Sequence, residues 1–136
     1  MSFIWFYRFL FLFLCIFIPN ICCGFLKILI GRSRPKLFFL EGLYGVYGLK
    51  FNNFFWSFPS SHTTTIISIA LGISTIYPYF FYILIFFAFI VSFSRVLLMQ
   101  HYLTDVLITI YITFLEVNFL FIFLKKKFFI EVLKFM

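Results

Sequence analysis

Only two histidines occur in the chain, and each sits among residues able to handle a negatively charged group. His62 follows Pro59, Ser60 and Ser61, while His101 comes shortly after Ser94 and Arg95 and four positions before Asp105. A third polar group, Lys27 with Arg34 and Pro35, lies upstream. Imidazole, carboxylate, hydroxyl and fixed cations together suit the transfer of a phosphoryl group. A phosphomonoester carries up to two negative charges, and its transition state spreads charge over the equatorial oxygens, so a catalyst needs cations and N–H donors around them. Lys27, Arg34 and Arg95 supply the cations: two planar forks for bidentate contact and one compact point charge. Ser60 and Ser61 open an apolar run whose first unpaired N–H groups would form an anion site, with Ser60 placed to cap the helix. At helical spacing His101 and Asp105 share a face, which predicts that the carboxylate holds one ring nitrogen and leaves the other free to attack phosphorus. His62 then donates a proton to the leaving alkoxide. This scheme asks for no metal and no cofactor, and two histidines with one nearby acid are too few ligands for a dinuclear site.

The set resembles the signature of the type 2 phosphatidic acid phosphatase family, whose superfamily includes the vanadium haloperoxidases. That signature is a Lys, six residues and Arg-Pro; then Pro-Ser-Gly-His; then Ser-Arg, five residues, His, three residues and Asp. Lys27 to Pro35, Pro59 to His62 and Ser94 to Asp105 match it at every position but one. Ser61 stands where the family has Gly; a role for that residue's backbone N–H survives the change. The resemblance implies His101 as nucleophile, His62 as acid, Asp105 as orienting group, and Lys27, Arg34, Ser60, Ser61 and Arg95 around the phosphate. It also implies a short form, because family enzymes commonly place these motifs on the last four of six spanning helices.

The elements that must position these residues are dictated by composition. Of 136 residues, 65% are hydrophobic and 11% charged, too few polar groups to cover a water-soluble domain. The surrounding solvent is therefore a bilayer, in which spanning segments must be helical because lipid offers no partner to an open backbone. Four apolar spans can be drawn: Phe9 to Ile30, interrupted by Pro19, Asn20 and Gly24; the short His62 to Tyr77; Tyr79 to about Met99; and Tyr102 to Leu124. The expected fold is an all-α membrane bundle of about four spanning helices, forming one domain over residues 1–136. An even number of crossings puts all three polar clusters at one membrane face, with Arg8 and Lys125, Lys126 and Lys127 at the other. Arg8 before an apolar stretch also suits a cleaved leader, but Pro19 to Cys22 lacks small residues for cleavage.

The net charge of +7 would suggest nucleic-acid binding in a soluble protein; here the Lys125 to Lys127 run reads as a cytoplasmic anchor, and nucleic acid is excluded as a partner. Arg32, Lys36 and Lys50 read as interfacial anchors for lipid head groups. Cys15, Cys22 and Cys23 show no metal spacing and read as packing residues. Glu116, mid-span, is either a protonated acid bonded to another helix or a polar group in a substrate cleft. The expected activity is metal-independent hydrolysis of a lipid phosphomonoester or diphosphate through a phosphohistidine, in a bacterial inner membrane with the site facing outward. The partners are the membrane and the lipid phosphate, with a homo-oligomer left open. A lipid phosphotransferase using the same intermediate and a non-catalytic component that binds anionic lipid are the alternatives.

Overall fold

The computed structural model describes residues 2–126. Within them the chain is built from helices: α1 (Ser2–Ile30), α2 (Pro35–Glu41), α3 (Ser61–Ile76), α4 (Phe81–Leu97) and α5 (Leu103–Leu124), with single 3-10 turns at Asn53–Phe55 and Pro78–Phe80. Among the described residues three segments are long and apolar enough to cross a membrane: Phe3–Ile30, Pro78–Leu97 and Leu103–Leu124. The remaining expected span, α3, has 16 residues and so extends about 24 Å, short of a full hydrocarbon core. It does not face lipid on all sides. α3 packs against α1, α4 and α5 and buries Thr63, Thr64, Ile67, Ser68, Ala70 and Leu71. Such small and hydroxylated side chains let helices approach closely where lipid supplies no hydrophobic drive between them. Gly72 marks a close approach of α3 to α1: a Cβ there would stand 3.1 Å from a methyl of Leu12 and 3.5 Å from Cβ of Cys15.

One expectation for α1 is corrected. The helix starts at Ser2 rather than Phe9 and passes through Arg8, whose guanidinium lies over the rings of Trp5 and Tyr77. It also continues through Pro19. Asn20 supports the turn there: its amide donates to the Ile16 carbonyl at 2.8 Å, and its Oδ1 accepts from Thr65 at 2.9 Å, tying α1 to α3. Lys125 and Lys126 follow α5, whereas Lys127 lies outside the described residues.

The contact of Arg8 with Tyr77, and of Phe11 with Phe121, gathers the start of α1, the end of α3 and the end of α5 at one end of the bundle. The end of α1, the starts of α3 and α5 and the end of α4 accordingly meet at the other. Over that second end folds the segment from Gly31 to Ser60. Gly31, at φ +58°, turns the chain sharply after α1, and Tyr47 and Gly48 donate to the carbonyls of Gly31 and Ile30. Ser33 donates to Gly45, Arg34 to Phe54, and Ser57 to Arg32, each at 3.0 Å. Backbone pairing, centred on a bridge between Arg32 and Val46, thus holds this segment without a regular sheet.

Candidate functional site

Each sequence-derived site residue lies at this end. Lys27 occupies the last turn of α1, Arg34 immediately precedes α2, Ser60 caps α3, Ser61 and His62 form its first turn, and Arg95 sits in the last turn of α4. His101 is in the turn before α5, and Asp105 is in the first turn of that helix. Met99 ends the α4 turn in the left-handed region at φ +54°, and the chain then presents His101 two residues later.

His101 is 3% exposed, and its Nδ1 is hydrogen-bonded to the carbonyl of Ser57. A carbonyl can only accept, so Nδ1 must carry the proton. In a neutral ring this leaves Nε2 with its lone pair. Burial is the main reason the imidazolium is disfavoured; the Ser57 carbonyl opposes it, the charges of Lys27, Arg34 and His62 add to it, and together they push the His101 pKa down to about 4. The ring is thus neutral at physiological pH, in the tautomer a nucleophile requires. His62 is exposed on the first turn of α3 and shares the electrostatic field of Arg95, Lys27 and Arg34. The two histidines therefore face the same cluster of cations rather than opposite sides of the bundle.

The expected hydrogen bond between His101 and Asp105 is not how the structure engages them. The helix begins at Leu103, after an extended Tyr102 (φ −74°, ψ 154°), so positions 101 and 105 do not share a helical face. Asp105 is fully buried and turns both oxygens elsewhere. Oδ1 accepts from Arg32 at 2.5 Å, while Oδ2 accepts from the Ser57 hydroxyl at 2.5 Å and from the Tyr102 N–H at 3.1 Å. Arg32, expected as an interfacial anchor, is instead the ion-pair partner of Asp105, with its guanidinium over the Tyr102 ring. The physical reason is that a carboxylate buried at the start of a helix needs both a cation and N–H donors.

Ser60 is placed as the cap of α3. Its Oγ accepts from Thr63, its N–H donates to Oγ1 of Thr109 at 3.1 Å, and it is fully buried. The donors left at this helix start are the N–H groups of Ser61 and His62, which have no partner among the described residues. Ser61, at the departure from the family pattern, has its hydroxyl 3.7 Å from the Cys23 thiol, turned toward α1. Arg34 is engaged by Asn53, through its carbonyl at 3.0 Å and its Oδ1 at 2.6 Å, and by the Gln100 side chain. Burial pushes its guanidinium below the ordinary value without removing the charge. Arg95 keeps a buried Nε with no hydrogen-bond partner among the described residues.

Sequence reasoning missed Ser57, Arg32, Gln100, Asn53 and Thr109. One signal was available for Arg32: Pro35 forces Arg34 into an extended conformation, and residues two apart in extended chain point the same way. Away from this end, Glu116 of α5 lies beside Cys22 of α1. Among the described residues no group of three or more His, Cys, Asp or Glu side chains is arranged to hold a metal ion.

Neither curated proteins nor solved structures give a significant match to the chain. A family model does: it covers residues 8–129, from within α1 past the end of α5 and through every residue of the cluster, and the chain belongs to the PAP2 superfamily.

Proposed function

We propose that this protein is a membrane lipid phosphatase that cleaves a phosphomonoester or diphosphate through a phosphohistidine on His101. Members of the superfamily are generally phosphatases or phosphotransferases, commonly acting on lipid phosphates. The observation that carries the finer reading is the state of His101: buried, neutral, with its Nδ1 proton on the Ser57 carbonyl and Nε2 free beside fixed cations. Nε2 attacks the terminal phosphorus, the bond to the leaving oxygen, an alkoxide or the phosphate ester left from a diphosphate, breaks, and His62 protonates that oxygen. Water then attacks the phosphohistidine, giving up its proton to His62 and releasing inorganic phosphate. Lys27, Arg95 and the N–H groups of Ser61 and His62 bind the phosphoryl oxygens, and Arg34 joins them when Gln100 releases its guanidinium.

The apolar helices make the substrate a lipid in this reading, delivered from the bilayer to a site at its surface. Arg8, Lys125 and Lys126, at the opposite end, are assigned to the cytoplasmic face, which turns the site outward in a bacterial inner membrane. The test is phosphate release by the purified protein in detergent from phosphatidate, phosphatidylglycerophosphate and a polyprenyl diphosphate. Turnover of at least one is expected, blocked by vanadate, which mimics the phosphoryl group, unaffected by chelator and absent in His101→Ala. Full activity in His101→Ala, or loss in chelator restored by a divalent metal, would overturn the mechanism.

A further inference from the structure

We infer that Ser57 and Arg32 are positioning residues for His101, and that Asp105 acts on His101 only through them and through the Tyr102 backbone. The inference rests on His101 being the nucleophile, and it assigns roles to two residues that the motif pattern leaves out.

The geometry is a closed loop of hydrogen bonds. Ser57 donates its N–H to the Arg32 carbonyl at 3.0 Å and its hydroxyl to Asp105 at 2.5 Å. Arg32 completes the loop by ion-pairing with the same carboxylate at 2.5 Å. Ser57 is thereby fixed at its amide and its side chain, which leaves its carbonyl aimed at Nδ1 of His101. The carboxylate also accepts from the N–H of Tyr102, the residue directly after His101. Asp105 thus clamps both the acceptor of the imidazole proton and the backbone that carries the imidazole.

Ser57 and Asp105 are completely buried and His101 nearly so, so the bonds that Ser57 makes to these two side chains are shielded from water. Three of the roughly four lone-pair sites of the carboxylate are in use, by Arg32, Ser57 and Tyr102. Using a carbonyl rather than a carboxylate against Nδ1 has a chemical consequence. A neutral acceptor fixes the tautomer without strongly raising the basicity of the ring, so His101 stays uncharged until it attacks.

Two measurements on the full-length protein test this. The first is turnover of Ser57→Ala, Arg32→Ala and Arg32→Lys, with the burst of phosphohistidine recorded in each. Loosening a group one bond removed from the nucleophile lowers kcat by roughly 10- to 100-fold with little change in KM, because the loss is of orientation rather than binding. Arg32→Lys, which keeps a cation beside Asp105, should recover part of the Arg32→Ala loss. A wild-type kcat in Ser57→Ala overturns the inference.

The second measurement does not need activity. Nitrogen NMR of 15N-histidine-labelled protein, with His62→Gln used to assign the signals, reports which ring nitrogen of His101 bears the proton. Protonation at Nδ1 in the wild-type protein, with a larger share of the Nε2 tautomer in Ser57→Ala, is expected. Protonation at Nε2 in the wild type overturns the inference outright. Absence of phosphate release by the wild type would instead strike the proposed phosphatase reading, while the tautomer still decides the placement of Ser57.

Discussion

In the proposed mechanism, the pH dependence of the first chemical step follows from the burial of His101. An ordinary histidine, with a pKa near 6.5, would be only about 3% neutral at pH 5. With its pKa pushed down to about 4, His101 is roughly 90% neutral there, which preserves about thirty times more of the unprotonated ring that the proposed attack requires. The sign is fixed by the direction of the shift: lowering pH converts Nε2 from a lone pair to an N–H, so activity falls through the pKa of the folded protein and not through 6.5. The assay is kcat/KM for an aryl phosphate between pH 4 and 8, because this ratio reports the free enzyme. An aryl leaving group needs little protonation, which removes the requirement for charged His62 and isolates the acid limb. The second ionisation of the substrate, near pH 6, is measured separately and divided out. The expected curve is flat down to about pH 5 and breaks near 4. A break at 6.5 or above would refute the argument, since it would mean that His101 titrates as a solvated imidazole and is not held in the buried, carbonyl-bonded state.

Two further outcomes test other parts of the site. His62 is exposed, so His62→Ala should fold normally and lose roughly 10²- to 10⁴-fold on an alkyl lipid phosphate while keeping much of its rate on the aryl substrate and still labelling His101; label on position 62, or rescue of a His101 variant by the aryl substrate, would reverse the two roles. Gly31→Ala should destabilise the protein in detergent by roughly 2–4 kcal/mol, because its Cβ would lie 1.8 Å from the Gly48 carbonyl oxygen in addition to the left-handed backbone cost. Gly42→Ala, at φ +69° with nothing within 4 Å, isolates that backbone cost at about 1 kcal/mol, and equal thermal shifts for the two variants would contradict the packing account.

The helical frame was legible because a bilayer leaves a chain few options. Runs of apolar residues must close their hydrogen bonds internally, and turn residues such as Tyr77 and Pro78 mark where they stop. Alternation of direction then brings Lys27, His62, Arg95 and His101 to one end without any knowledge of packing. The segment between Gly31 and Ser60 was not legible, since backbone N–H and C=O groups from distant positions hold it, such as Ser33 to Gly45, and these leave no trace in residue type. The length of α3 was legible as short, but not its place among three neighbours, which depends on side-chain fit at sites such as Gly72.

The Asp105 correction shows how a sound spacing argument fails at a helix end. Four residues between a histidine and an aspartate place them on one face only if the helix already includes the first of them. Here the carboxylate itself decides where the helix begins: by accepting the Tyr102 N–H it caps α5 after His101, and it thereby takes His101 out of the helical register. Once capped, the carboxylate is buried, and a buried charge must find a cation. Arg32 is within reach because the extended chain before Pro35 turns it the same way as Arg34, toward the first turn of α5 and the turn that leads into it. The imidazole then meets the carbonyl of Ser57, which the same carboxylate has drawn into place. One aspartate therefore sets the helix start, recruits Arg32 and fixes the tautomer of His101, so its loss should disturb all three together and not merely remove a charge from the neighbourhood of His101.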